Sequence, residues 1–416
     1  MLSILINAYA CSPGMGSEPG MAWNWCVNLA KHCELHIVTE GEFRDRIESA
    51  LPMLPQGANM HFYYNPVSDK IRRMCWNQGD WRFYKYYKEW QKKTYLIAKE
   101  ICEKRKIDIL HQLNMIGFRE PGYLWKLSRE TGMPFVWGPI GGLKQFPLKY
   151  ADGRGLKMKA FMALKNMLNI LQLKYDRRVN AAIQQAALLI SSIPDSYNAI
   201  KKYKKHESIV IPETGCFDET VASDKLNRFH GEALYVMWVG KFDFRKRLDI
   251  AIKTLAKTEN TNIRLKVFGS GTSEQINNAK TLASKLNVNR QITWMGNRPN
   301  DEIKCEMARA DLFLFTSVSE DTSTVVLEAI SSCLPVLCFD TCGMSSVIDG
   351  KVGIKIPLTN PVQSVKDFSE KIEYLYSHRD VLKTLSDNCI GRQKELSWNS
   401  KAKRMVALYE RCIGMD

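Results

Sequence analysis

No stretch of the 416-residue chain approaches the ~18 consecutive apolar residues that a membrane-spanning helix requires, which excludes a helical span. No low-complexity tract or short internal repeat is visible, which argues against a solenoid or a long disordered linker. Twelve cysteines are present without a C-x-x-C pair, and several, such as Cys333 and Cys338, lie inside apolar runs. That pattern argues against zinc sites and disulfides, and for free thiols acting as small hydrophobes in a reducing cytosol. The apolar start, Met1 to Cys11, has small residues ahead of its cysteine but no Lys or Arg. Its uninterrupted apolar stretch is also shorter than the ~7–15 residues of a signal core, so it reads as a first buried strand.

What is present is the composition of a globular protein, 45% apolar and 10% aromatic, in a chain long enough for two domains. Charge is unevenly divided. Residues 1–210 hold 31 Lys/Arg against 18 Asp/Glu, a net of +13, and residues 211–416 hold 28 against 26, a net of +2. A one-sided basic surface suits an anionic partner, whether nucleic acid, an acidic membrane or a phosphorylated substrate.

Short β-branched or apolar runs alternate with amphipathic segments of helix length. The first half predicts strands at 2–8, 34–39, 60–64, 107–113, 134–138, 187–192 and 208–211. The second predicts them at 234–240, 263–269, 290–295, 311–316, 335–340 and 353–356. Runs such as LYVMWVG and DLFLFTS are apolar throughout, as parallel strands covered on both faces are. The alternation implies an α/β protein of two doubly wound, Rossmann-like domains, spanning 1–228 and 229–398. The tail 399–416 is expected to be a helix that crosses back to the N-terminal domain. Open α/β sheets bind ligands beyond the carboxyl ends of their strands, so the loops after each strand, facing a cleft between the domains, are where chemistry is expected.

One such loop runs Ser317-Val318-Ser319-Glu320-Asp321-Thr322-Ser323-Thr324-Val325. Thr322, Ser323 and Thr324 are N-cap candidates for a helix reaching about Cys333. A helix start offers unpaired N–H groups to a diphosphate, and Glu328 sits one turn beyond Thr324 on the same face, placed to accept from ribose hydroxyls. Glu320 precedes the helix, nearer the place of a transferred sugar. By itself the pair is no more than an exposed glutamate and a capped helix.

Two glutamates separated by seven residues, followed by Ala329 and Leu334-Pro335-Val336, resemble the E-x7-E signature of retaining GT-B-fold glycosyltransferases of family 4. Val239-Gly240-Lys241-Phe242-Asp243-Phe244-Arg245-Lys246 looks like that family's Gly-Arg…Lys loop, whose cations grip the donor diphosphate. Leu265 to Gly271 looks like its strand-to-Gly loop near the base, and Gly269 falls there. Ile211 to Gly215 looks like the segment ending the N-terminal domain. Gly16-Ser17-Glu18-Pro19-Gly20 resembles the glycine loop approaching the phosphates from that domain, through either Gly16 or Gly20. The resemblance also puts His111, Trp137 and Gly138 at strand ends facing acceptor and donor sugar. There are departures: Asp321-Thr322-Ser323 replaces Gly-aromatic-Gly, Lys241 stands for the usual Arg, and Ser346 for a common Glu.

The resemblance implies a nucleotide-diphosphate sugar donor and a hexose transferred, with retention, to a lipid-linked or polysaccharide acceptor in cell-surface polysaccharide assembly. Catalysis is expected from Glu320, Lys241, Lys246 and His111. Donor binding is expected from Gly16, Gly20, Gly240, Arg245, Gly269, Thr324, Val325 and Glu328, with Trp137 and Gly138 on the acceptor side. Asp-x-Asp does not occur in the sequence, so cations and helix N–H groups are expected to replace a metal, and no cofactor is implied.

Residues 70–99 (Arg72, Arg73, Trp76, Trp81 to Lys88, Trp90) and 154–178 (Arg154, Lys157, Lys159, Phe161, Met162, Lys165) interleave cations with apolar anchors. They suggest docking on an anionic membrane, at the cytoplasmic face of the plasma membrane. A GT-B sugar-nucleotide epimerase is the rival enzyme. A nucleic-acid binder would also use a basic half, but no module motif for that role is visible, and nucleic acid is not expected as a partner.

Overall fold

A computed structural model describes residues 1–77, 80–151, 155–217 and 229–414. Residue 228, the expected end of the first domain, and Arg154 lie outside the described residues. Among the described residues, thirteen strands form two sheets, both parallel throughout. Every predicted strand is found, within two or three residues at its ends. The chain folds as two units, Met1–Leu143 with Met167–Glu213 and Trp398–Asp416, and Lys144–Asn166 with Thr214–Ser397.

Unit 1 holds β1 (Leu2–Ala8), β2 (Cys33–Thr39), β3 (Met60–Tyr64), β4 (Ile109–Asn114), β5 (Phe135–Ile140), β6 (Ala186–Ser191) and β7 (Ile209–Val210). Their spatial order is β3-β2-β1-β4-β5-β6-β7. The chain winds outward from β1 in one direction and from β4 in the other, so the switch point lies between those two. β1 is buried at all seven positions, as its uninterrupted apolar character requires of a central strand covered on both faces. Its one fully buried amide, Asn7, donates to Gln91 (2.6 Å) and Gln112 (2.8 Å), which satisfies its N–H groups inside the core. The last helix, Trp398–Cys412, packs on helix Ser17–Leu29 of the same unit. The Trp25 and Trp398 rings meet edge to face at 5.7 Å.

Unit 2 holds β8 (Leu234–Val239), β9 (Ile263–Phe268), β10 (Ile292–Gly296), β11 (Leu312–Phe315), β12 (Val336–Phe339) and β13 (Gly353–Ile356). Their order is β10-β9-β8-β11-β12-β13, which puts the switch point between β8 and β11. Residues 144–166 were expected in the first domain, yet they belong to this unit. Phe146, Tyr150 and Met162 enter its core beside Trp238 and Phe339. The Tyr150 hydroxyl meets Ser364 at 2.7 Å, and its carbonyl accepts from Arg247 at 2.9 Å. A segment that buries this much aromatic surface stays with the core it fills.

Candidate active site

The loops after β8, β9, β11 and β12 converge at the switch point of unit 2, where open α/β sheets leave a crevice. Hydrogen bonds tie β8 and its loop to the loop after β11. Val318 N–H donates to the Arg245 carbonyl (2.9 Å), the Thr316 hydroxyl donates to the Lys246 carbonyl (2.8 Å), and Trp238 Nε1 donates to Thr316 Oγ1 (3.0 Å). Arg247, held in the left-handed region at φ +52°, then turns the chain into helix Leu248–Lys257. This path brings Lys246 and Glu320, from different strands, into an ion pair. The Lys246 ammonium also lies 5.1 Å over the Phe315 ring. Both partners remain partly exposed, which is the state a ligand-facing pair needs.

Two glycines make the approach possible. Gly269 has φ +132°, and a Cβ there would lie 1.8 Å from the Gly240 carbonyl oxygen. Gly343, after β12, would place its Cβ 2.7 Å from the Asp321 carbonyl oxygen. Asp321 in turn pairs with Lys144 at 2.6 Å. The loop that departs from the Gly-aromatic-Gly pattern is therefore packed and pinned, and its close approach is supplied by Gly343 instead.

Helix Thr324–Ser331 begins here with Ser323 at its N-cap position, extended at φ −87° and ψ 122°, and no side chain caps it. Val326 N–H donates to the Ser323 carbonyl at 3.1 Å, so among the described residues it is the N–H groups of Thr324 and Val325 that are left to a ligand or solvent. Thr324 is exposed, and Val325 and Glu328 are half-buried on the same helix. Lys241 is exposed at the head of the β8 loop. Arg245 is not a free cation, because Asp243 accepts from its Nη2 at 2.7 Å and from its Nε at 3.1 Å. Burial pushes the Asp243 carboxyl up, but bonds from Arg245 outweigh this and hold it below the usual range. The same pairing raises the Arg245 guanidinium further.

The unit 1 residues are placed differently from expectation. His111 is fully buried, with Nε2 2.7 Å from the Gly138 carbonyl and Nδ1 2.6 Å from the Tyr409 hydroxyl. A carbonyl only accepts, so Nε2 carries the proton and Tyr409 donates to Nδ1. Burial lowers the His111 pKa to about 4. Neither nitrogen faces a reacting group, and His111 is a structural anchor rather than a catalytic base. Trp137 is buried among Leu110, Phe135 and Leu189, and a Cβ on Gly138 would lie 2.3 Å from the Ile190 carbonyl oxygen. Both are core positions at the β5 end, not acceptor contacts. Gly20 lies inside helix Ser17–Leu29, where a Cβ would fall 1.8 Å from the Met15 carbonyl oxygen. Gly16 precedes that helix with open space around it, so of the two it is the one a ligand can approach.

At the switch point of unit 1 the structure has a cavity of about 200 Å³ that sequence reasoning missed. Tyr9, Glu18, Glu40, Glu42, Phe43 and Trp76 line it, from the segments after β1 and β2, the first turn of helix Ser17–Leu29 and the end of helix Asp69–Trp76. Glu40, almost fully buried, accepts from Arg72 and from the N–H groups of Glu42 and Val67, each near 2.9 Å. Glu40 directly follows β2, and that position was the signal available in the sequence. Among the described residues, no group of three His, Cys, Asp or Glu side chains is placed to hold a metal ion.

Residues 221–392 match the family model described as glycosyl transferases group 1. An uncharacterized glycosyltransferase of Methanocaldococcus jannaschii is 26% identical over 181 residues, 43% of this chain and 49% of that protein. The chain thus spans about half the length of that curated relative. Among solved structures, the fold matches sucrose-phosphate synthase from Thermosynechococcus elongatus over 100% of both chains, at TM-score 0.66 and 15% identity. It also matches HepE of Anabaena, solved in complex with UDP, over 99% of this chain and 100% of that one, at TM-score 0.63 and 13% identity. The fold is that of the GT-B glycosyltransferases, and the family match over the second unit supports a group 1 glycosyltransferase.

Proposed function

We propose that the protein is a retaining, metal-independent glycosyltransferase. It moves a hexose-type sugar from a nucleotide-diphosphate donor to a lipid-linked or polysaccharide acceptor in cell-surface polysaccharide assembly. The carrying observation is the Lys246–Glu320 pair at the β8/β11 switch point, beside a helix start that no side chain caps. In the transfer the bond from sugar C1 to the β-phosphate oxygen breaks with its electron pair on the departing diphosphate, a bond from C1 to the acceptor oxygen forms, and the acceptor hydroxyl proton passes to that diphosphate. Negative charge grows on the departing diphosphate, where preorganised cations and N–H groups act most strongly. Lys246, Lys241 and the N–H groups of Thr324 and Val325 fill that role, with Arg245 adding its charge from the Asp243 pair. Gly240 and Gly269, packed against each other, let the β8 and β9 loops reach the phosphates together. Glu328 accepts from the ribose hydroxyls, and Glu320 faces the sugar.

The UDP complex of the Anabaena protein supports a nucleotide donor. The unit 1 cavity, with carboxylates beside the aromatic faces of Tyr9, Phe43 and Trp76, suits the sugar end of an acceptor and replaces Trp137 and Gly138 in that role. The enzyme works in the cytoplasm, peripherally on the inner face of the plasma membrane.

The test is a calorimetric panel of nucleotide-diphosphate sugars, followed by product analysis with lipid-linked acceptors in EDTA and in magnesium. One donor should bind and yield an α- or β-linked product of the donor's own anomeric configuration, unchanged by EDTA. An inverted product, or activity lost in EDTA and restored by magnesium, overturns the respective part. Epimerised free nucleotide-sugar without transfer overturns the whole.

A further inference from the structure

Helix Leu156–Tyr175 contains four lysines, Lys157, Lys159, Lys165 and Lys174, and no carboxylate. Met162, Asn169 and Leu173 mark its inner face, recurring at seven and four residues and all buried. The opposite face is unusual. Phe161, Leu164, Leu168, Leu171 and Tyr175 recur at three- and four-residue spacing, which stacks them in one stripe. With Leu156 and Met167 they are between 41% and 86% exposed, a run of large apolar side chains that no described element covers. Lys157 falls within the stripe, while Lys165 and Lys174 flank it on opposite sides.

An exposed apolar stripe of this kind marks an interaction site. We infer that this helix is a docking surface for an anionic lipid bilayer and lies in its interface with the apolar stripe inserted. The charge selects the occupant: lysines bordering an apolar stripe, with no acid on the helix, complement anionic headgroups and repel a second copy of the same face. The +13 net charge of residues 1–210 adds a longer-range attraction of the same sign.

The other basic, aromatic segment does not have this form. Phe83, Tyr87 and Trp90 are buried, packed edge to face around Tyr9 at 4.9–5.7 Å. Arg72 is committed to Glu40, and Arg82 to Asp80 at 2.7 Å. These three rings are core and both cations are paired with carboxylates. Trp76, Trp81 and Tyr84 are exposed, but they fall on the end of one helix, the turn after it and the start of the next, and so form no continuous stripe. The docking surface is therefore assigned to one helix. This deepens the membrane part of the proposed function and does not depend on the chemistry of transfer.

The test is co-sedimentation of the full chain with phosphatidylcholine vesicles, with and without 30% phosphatidylglycerol. The variants are Phe161→Glu with Leu168→Glu, and Lys157→Glu with Lys174→Glu. All four positions are exposed, and unchanged circular dichroism and donor affinity in each variant establish that it is folded. Wild type should partition to the anionic vesicles only. The apolar pair should abolish binding. The lysine pair should weaken it by more than the about fivefold per lysine expected of charge removal. Raising salt from 0.1 to 0.5 M should weaken wild-type binding without eliminating it. Equal binding to both vesicles, binding to neither, or wild-type binding by the apolar pair overturns the inference. So does a dimer in sedimentation velocity that the apolar pair dissociates, which would make a second copy the occupant. Transfer without vesicle binding removes docking alone, whereas binding without transfer removes the proposed function alone.

Discussion

The Tyr409 hydroxyl donates to Nδ1 of His111 across 2.6 Å, joining residues 298 positions apart in the chain. It completes a ring whose other nitrogen serves the Gly138 carbonyl, in a site that water does not reach. Tyr409→Phe leaves a buried acceptor without a donor and should cost about 1–3 kcal/mol, measured by urea denaturation. Donor affinity should stay at the wild-type value, and its loss in a folded variant would return His111 to the site.

The same ring predicts a pH dependence. The folded pKa of His111, about 4, is below the ~6.5 of the unfolded chain, so the native state excludes a proton that the unfolded state binds. Stability from this group is fully present above about pH 6.5 and is lost as pH falls toward 4. The total is about 3 kcal/mol at 1.36 kcal/mol per unit. His111→Gln should flatten the decline between pH 7 and 4.5 in denaturation midpoints. Parallel curves for wild type and variant would sink the assignment.

Lys246→Ala and Glu320→Gln should separate catalysis from stability. Both partners are partly exposed, at 16% and 29%, so the pair contributes no more than about 1 kcal/mol to folding. Removing a group aimed at developing charge costs ~10²–10³ in kcat. Turnover should collapse with a melting temperature within a few degrees of wild type. A large fall in melting temperature with modest loss of kcat would make the pair structural.

Glycine placement gives a contrasting pair. Gly269→Ala would place its Cβ 1.8 Å from the Gly240 carbonyl oxygen, at φ +132°. It should destabilise by about 2 kcal/mol or more and weaken donor binding as the β8 loop moves. Gly16→Ala meets nothing within 4 Å and should melt like wild type. If Gly16→Ala nevertheless loses donor affinity, the space beside it is ligand space, and unchanged affinity would show that it is not.

Glu328→Ala should weaken nucleotide binding by about 1.5–3 kcal/mol, the scale of hydrogen bonds to a charged group. Calorimetry on nucleotide and on the same compound lacking ribose hydroxyls should show the deficit only with the first. An equal deficit with both would assign Glu328 another role.

The strands were legible because each is a short apolar run between turn residues. β11, Leu312-Phe313-Leu314-Phe315, could be little else. The placement of Lys246 and Glu320 on neighbouring loops was legible for the same reason, since both loops directly follow strands whose ends were clear. Residues 144–166 were not, because nothing local distinguishes Phe146 and Tyr150 filling one core from filling another. His111 and Trp137 misled for a related reason: both stand in apolar strands, and only the distant Tyr409 and the press of Gly138 on Ile190 reveal their burial. The cavity at Glu40 was hidden by its partner, since Arg72 reads as surface charge until β2 and helix Asp69–Trp76 are adjacent.

The return of helix Trp398–Cys412 to unit 1 sets an order on biosynthesis. Trp25, Leu29 and Cys26 are sealed by Trp398, Ala402 and Met405, which the ribosome makes only after all of unit 2. At ~5–20 residues per second, the first unit waits roughly 10–40 s with that apolar face uncovered. Unit 2 is contiguous from Thr214 to Ser397 apart from its 144–166 segment, already made, and so can finish first. The N-terminal half of the chain, though made first, is thus the last to complete its core.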